Sequence, residues 1–119
     1  MTVKELYESF GGDYNRAVQV MMNDAFITRM LSKFMQSNSY QDAIDNYEKK
    51  NLRGVFEACH SLKGVCGNLS ITPLYEKASI VCEKTRGIND DEFINIDLEI
   101  DELKETYERI ASLINNFLK

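Results

Sequence analysis

The chain has 119 residues, the size of one domain at the usual ~100–200 residues per domain. With 44% hydrophobic and 28% charged residues it holds enough apolar surface for a core, which excludes a disordered tail. A net charge of −5 argues against a nucleic-acid backbone or an anionic membrane as partner, because both require clustered Lys and Arg. One proline and six glycines leave little punctuation, so helices are favoured over many short strands. Thr2 with Glu5 forms a capping-box pattern, and Gly11-Gly12 ends that first short helix before Asp13 caps a second. Asn23 caps a segment whose Ile27, Met30, Leu31 and Phe34 keep helical spacing. Ser37-Asn38-Ser39 breaks or kinks it, and Tyr40, Ile44 and Tyr47 resume the pattern. Asn51 precedes the next helix, Thr72-Pro73 supplies an N-cap and first turn for another ending near Arg86-Gly87, and Asn89 with Glu92 opens the last.

That last helix is the clearest. Phe93, Ile96, Ile100, Leu103, Tyr107, Ile110, Ile114 and Phe117 alternate steps of three and four, the seam of a bundle. Its other face carries Asp97, Glu99, Asp101, Glu102, Glu105 and Glu108 and reads as solvated. The expected fold is all-α: one domain over residues 1–119, with short helices in 1–22 and an antiparallel up-and-down four-helix bundle in 23–119. No run approaches the ~18 apolar residues of a membrane span, and Met1-Thr2-Val3-Lys4-Glu5 does not resemble a signal peptide. Three cysteines without an export signal read as reduced, buried thiols of a cytoplasmic protein.

The chain has one histidine. In the helix from Leu52 to Leu69, the residues Leu52, Val55, Cys59, Leu62, Cys66 and Leu69 fall on one apolar stripe, and His60 points away from it. Gly64 and Gly67 lie beyond His60 on its side of the helix, although each glycine costs a helix ~1 kcal/mol relative to alanine. Clearing side chains there opens a path to the imidazole; for Gly67 a helix end is the competing explanation. Lys63, one turn from His60, can set its ammonium beside whatever the imidazole holds. A nucleophilic imidazole, a nearby cation and a cleared approach fit phosphoryl transfer, in which positioning and charge stabilisation carry most of the catalysis. A metal site of His60 with Cys59, Cys66 and Cys82 is disfavoured, because Cys59 and Cys66 sit on the stripe while His60 faces elsewhere, and no C-x-x-C pair exists. A pure interaction module stays open as an alternative. Phe56, one turn before His60, is a docking candidate, as are Met21, Met22, Met30 and Met35, for which core filling competes.

The segment Ala58-Cys59-His60-Ser61-Leu62-Lys63-Gly64-Val65-Cys66-Gly67-Asn68-Leu69 resembles the His-x-Leu-Lys-Gly signature of histidine-containing phosphotransfer (HPt) domains. The likeness continues through Ile71-Thr72-Pro73-Leu74-Tyr75 and upstream through Leu6-Tyr7 and Gly11-Gly12-Asp13-Tyr14, as in free-standing bacterial members. It implies that His60 accepts a phosphoryl group, normally on Nε2, that Lys63 neighbours it, and that Gly64 gives a receiver domain access. The implied partners are response-regulator receiver domains and hybrid sensor histidine kinases, met by a monomer. The implied cofactor set is empty, with magnesium supplied by the receiver's acidic pocket. The resemblance describes a carrier in a multistep two-component phosphorelay, not an enzyme with autokinase machinery. Two positions depart from the pattern. Ser70 stands where glycine is usual, which suggests a differently shaped helix end. Cys82 stands where some members use a glutamine to orient the histidine, leaving Cys82, Glu83 or a water as the candidates for that task.

Overall fold

The computed structural model describes residues 1–89 and 91–119. Among them are seven helices and no strand: α1 (Val3–Phe10), α2 (Tyr14–Met21), α3 (Asp24–Gln36), α4 (Ser39–Glu48), α5 (Leu52–Leu69), α6 (Thr72–Thr85) and α7 (Asp97–Leu118). No helix of the described residues is long and apolar enough to cross a membrane. The boundaries follow local chemistry. Thr2 and Glu5 form a reciprocal capping box on α1, and Gly11 closes that helix in the left-handed conformation at φ 83°. Asp13, Asn23 and Asn51 each accept a backbone N–H of the following helix, from Arg16, Phe26 and Gly54.

Two boundaries differ from the sequence reading. Thr72 is already helical and Ile71 takes the N-cap position; the Thr72 hydroxyl turns back to donate to the Ser70 carbonyl. The last helix begins at Asp97, not near Asn89. Asn89 and Glu92 do bond to each other, side chain to side chain at 2.6 Å, but they form a turn. The start of α7 is set from across the fold: the Tyr47 hydroxyl of α4 accepts the Ile96 N–H at 3.0 Å and donates to Asp97. Phe93, assigned by its spacing to the helical seam, therefore lies outside the helix and is 42% exposed.

α5 is the central element, packed most extensively on α6 and α4 and also touching α2 and α3. α7 covers α6 and meets α1 and α3. One continuous core runs from Val3 to Ile114, so the short N-terminal helices share the core of the rest. Stacking of Tyr40 on Tyr107, with centroids 3.7 Å apart, ties α4 to α7. The acidic face of α7 is not wholly solvated: Glu99 pairs with Lys84 at 3.0 Å and Glu102 with Lys77 at 3.2 Å, both across to α6.

Candidate functional site

All six residues of the apolar stripe on α5, from Leu52 to Leu69, are buried, and His60 is exposed on another side of the same helix. The imidazole opens into a groove of about 630 Å³ that runs along α5 toward its C-terminus, with Lys63, Gly64 and Tyr75 along it. Phe56 stands one turn before the histidine, its ring nearly parallel to the imidazole at a centroid distance of 5.9 Å and an angle of 19°. The Arg86 guanidinium covers the Phe56 ring at 5.3 Å. Lys63, expected beside the imidazole, extends over the Tyr75 ring, its ammonium 5.9 Å from the centroid. No side-chain hydrogen bond engages the imidazole among the described residues.

The two glycines have different surroundings. A Cβ built on Gly64 meets nothing within 4 Å, so this turn of the helix is open to solvent. A Cβ on Gly67 lies 3.3 Å from Tyr75 Cε2, so an aromatic ring of α6 stands beside Gly67, which also lines the groove. Gly67 is not the helix end, because α5 continues to Leu69.

The expected orienting residues are not brought to His60. Cys82 is fully buried in the core, where its neighbour is Cys59 on the apolar stripe of α5. Glu83 is exposed and engaged by Arg86 at 2.9 Å. The cysteines and the histidine do not converge, and no cluster of three or more His, Cys, Asp or Glu side chains could hold a metal ion among the described residues. Burial pushes the Cys59 and Cys66 thiols up to about 12, which marks them as inert core groups. Met21 is buried, Met30 and Met35 pack partly buried against the core, and Met22 alone of the four is exposed, at 77%.

Ser70 corrects another expectation. It adopts φ 55° and ψ 38°, the left-handed conformation that a glycine takes at a helix C-cap, so the helix end has the shape glycine would give it. Its carbonyl accepts the Asp13 N–H at 3.0 Å, and the buried Tyr7 hydroxyl donates to the adjacent Leu69 carbonyl at 2.7 Å. These bonds clamp the loop between α1 and α2 onto the end of α5. Gly12 permits the approach, since a Cβ there would fall 2.9 Å from the Ser70 oxygen. The clamp brings Asp13 and Arg16 to the groove, two residues that sequence reasoning missed because no helical periodicity relates α2 to α5. Arg86 was missed for the same reason, although its place one turn after Cys82, at the C-cap of α6, is a readable signal. No protein-family model, curated protein or solved structure matches the chain.

Proposed function

We propose that this chain is a histidine phosphotransfer protein, with His60 as the residue that accepts and passes on the phosphoryl group. One observation carries the reading: the only histidine is exposed in a groove beside Lys63 and Gly64, on the helix whose other face builds the core. Packing does not require an imidazole there. On this reading α3 to α7 form an antiparallel four-helix bundle with α5 at its centre, α3 and α4 acting as one interrupted arm.

The donor is an aspartyl phosphate on a receiver domain. The lone pair of the unprotonated ring nitrogen, Nε2, attacks phosphorus; the N–P bond forms as the P–O bond to the aspartate breaks. The carboxylate leaves with the bonding pair and stays on the receiver, and the other ring nitrogen keeps its proton or releases it to water at the exposed edge. Return transfer to a second receiver reverses each step. Lys63 offsets the negative charge of the transferred group, Phe56 backs the imidazole, and the bare surface of Gly64 admits the partner. Magnesium belongs to the receiver. The chain acts as a cytoplasmic phosphocarrier and as a monomer, without catalysis of its own from ATP.

The test uses purified receiver domains charged with labelled acetyl phosphate. Label should move onto the wild-type chain as an acid-labile, base-stable adduct and then onto a second receiver. A His60→Gln variant that still takes up label overturns the assignment.

A further inference from the structure

A second cavity, of about 220 Å³, lies between α3 and α5, where α5 packs more lightly than it does on α4 and α6. One face of α3 supplies Met30, Lys33 and Phe34, and one face of α5 supplies Val65, Asn68 and Leu69, each set at the i, i+3, i+4 spacing. Met21, the last residue of α2, completes the wall. Met21, Phe34 and Leu69 are buried, and Met30 and Val65 pack partly buried against the core. Lys33 and Asn68 are exposed, and neither side chain makes a hydrogen bond, ion pair or ring contact among the described residues. Lys33 is the one charged residue lining the cavity among the described residues. In a chain with 19 acidic residues its ammonium has no carboxylate partner there. An apolar cavity of ~150 Å³ is enough to hold benzene, so this one has room for an aromatic ring and a short chain.

We propose that this cavity binds a small aryl carboxylate, with its ring seated between α3 and α5 and its carboxylate on Lys33 at the rim. The lining asks for both halves of such a ligand: apolar walls take the body, and a few polar groups at the edge fix its orientation. Methionine side chains are flexible and polarizable and make favourable contacts with aromatic rings, which gives Met21 and Met30 a task beyond filling the core. An unpaired ammonium beside an apolar wall favours an acid over a neutral molecule of the same shape, and the Asn68 amide is free to donate to the carboxylate as well. Asn68 also lines the groove at His60, so the two sites share one wall. The proposal stands independently of the phosphotransfer reading.

The experiment titrates phenylpropionate into the full chain and follows the methyl resonances of Met21, Met30 and Val65 and the side-chain amide of Asn68. Parallel arms use phenylpropionamide, which lacks the charge, and propionate, which lacks the ring. Phenylpropionate should give saturable shifts at these residues with a Kd of about 1 mM, the range open to a ligand of this size. The amide should bind about threefold more weakly, as expected for a contact with an exposed charge, and propionate should not bind. Lys33→Met, at an exposed helix position, should keep the fold and erase the preference for acid over amide. Val65→Phe, which fills the cavity from its wall, should abolish the shifts, and Lys33→Met keeps the test decisive should Val65→Phe unfold. Shifts that never saturate overturn the site, as do equal affinities of acid and amide for the wild-type chain. So do shifts at Lys63 and Arg16 instead, which would make the His60 groove the place where the acid binds. Resonances of the cavity that respond to a receiver domain and not to phenylpropionate would assign it to a protein partner and overturn the small-ligand site.

Discussion

The ring of Phe56 lies nearly parallel to the imidazole of His60, 5.9 Å from centroid to centroid, with Arg86 covering that same phenyl ring. The imidazole is therefore backed by an aromatic face and, among the described residues, not held by a side-chain hydrogen bond. Replacing Phe56 with leucine keeps apolar contact and removes the ring. Phe56→Leu should cost less than about 1.5 kcal/mol of stability, as expected for a volume-conserving swap at a partly buried site. The proton shifts of the imidazole, assignable because the chain has a single histidine, should move as the ring current disappears. Unmoved His60 resonances in a folded variant would show that the stacking is absent in solution.

Gly64 and Gly67 should respond oppositely to alanine. At Gly64 the added Cβ meets nothing, so the gain in helix propensity should appear as roughly 1 kcal/mol of added stability. At Gly67 the Cβ approaches Tyr75 at 3.3 Å, so the ring must shift and the gain should largely vanish. In a Tyr75→Ala background Gly67→Ala should recover it. Gly64→Gln should keep the fold and weaken receiver-driven labelling, since its bulk enters the open approach to His60. Denaturant unfolding reads the first three, and transfer kinetics the fourth.

Ser70 carries two costs in one residue. It holds a left-handed conformation, and its buried hydroxyl oxygen has no hydrogen-bond partner. Glycine removes both, so Ser70→Gly should raise stability by about 1–2 kcal/mol. A β-branched residue adds strain, and Ser70→Val should be destabilising. The midpoint of chemical unfolding distinguishes the two directions. A destabilised Ser70→Gly would mean that the hydroxyl is satisfied in solution.

The buried thiols predict both a reactivity and a pH dependence. Desolvation favours the neutral thiol, raising Cys59 and Cys66 from an ordinary 9.0 to about 12. Neither should react with iodoacetamide at pH 8 in the native chain, and both should react once denaturant is added. Because the folded values lie above the unfolded ones, the unfolded chain loses its protons first. The stability these thiols contribute is complete below pH 9 and declines as pH rises toward 12. Unfolding free energies measured over that range check the sign.

What was legible in the sequence was whatever one helix could report about itself. The stripe on α5 and the exposure of His60 follow from a repeat of three and four, and the capping residues Thr2, Asp13, Asn23 and Asn51 act locally. Relations between helices were not legible. Tyr47 sets the start of α7 from another element, which no periodicity in residues 89–97 reveals. Tyr75 occupies the space at Gly67 because α6 folds back beside α5. Cys82, which stands where some family members use a glutamine, is carried into the core by the turn of α6. Arg16 reaches the groove because the α1–α2 loop is bonded, through Asp13, to Ser70 at the distant end of α5.

The central claim is that phosphoryl groups reach His60 from another protein's aspartate and not from a nucleotide. The direct measurement follows phosphorus-32 from labelled ATP and magnesium, first with the chain alone and then with a hybrid sensor kinase and its receiver domain added. The sequence contains no glycine-rich phosphate loop, and among the described residues the groove at His60 is lined by Lys63 and Arg16 with a single carboxylate. The account predicts no incorporation from ATP alone, and acid-labile label on His60 once kinase and receiver are present. Stoichiometric labelling by ATP alone, in a preparation free of contaminating kinase, would contradict it.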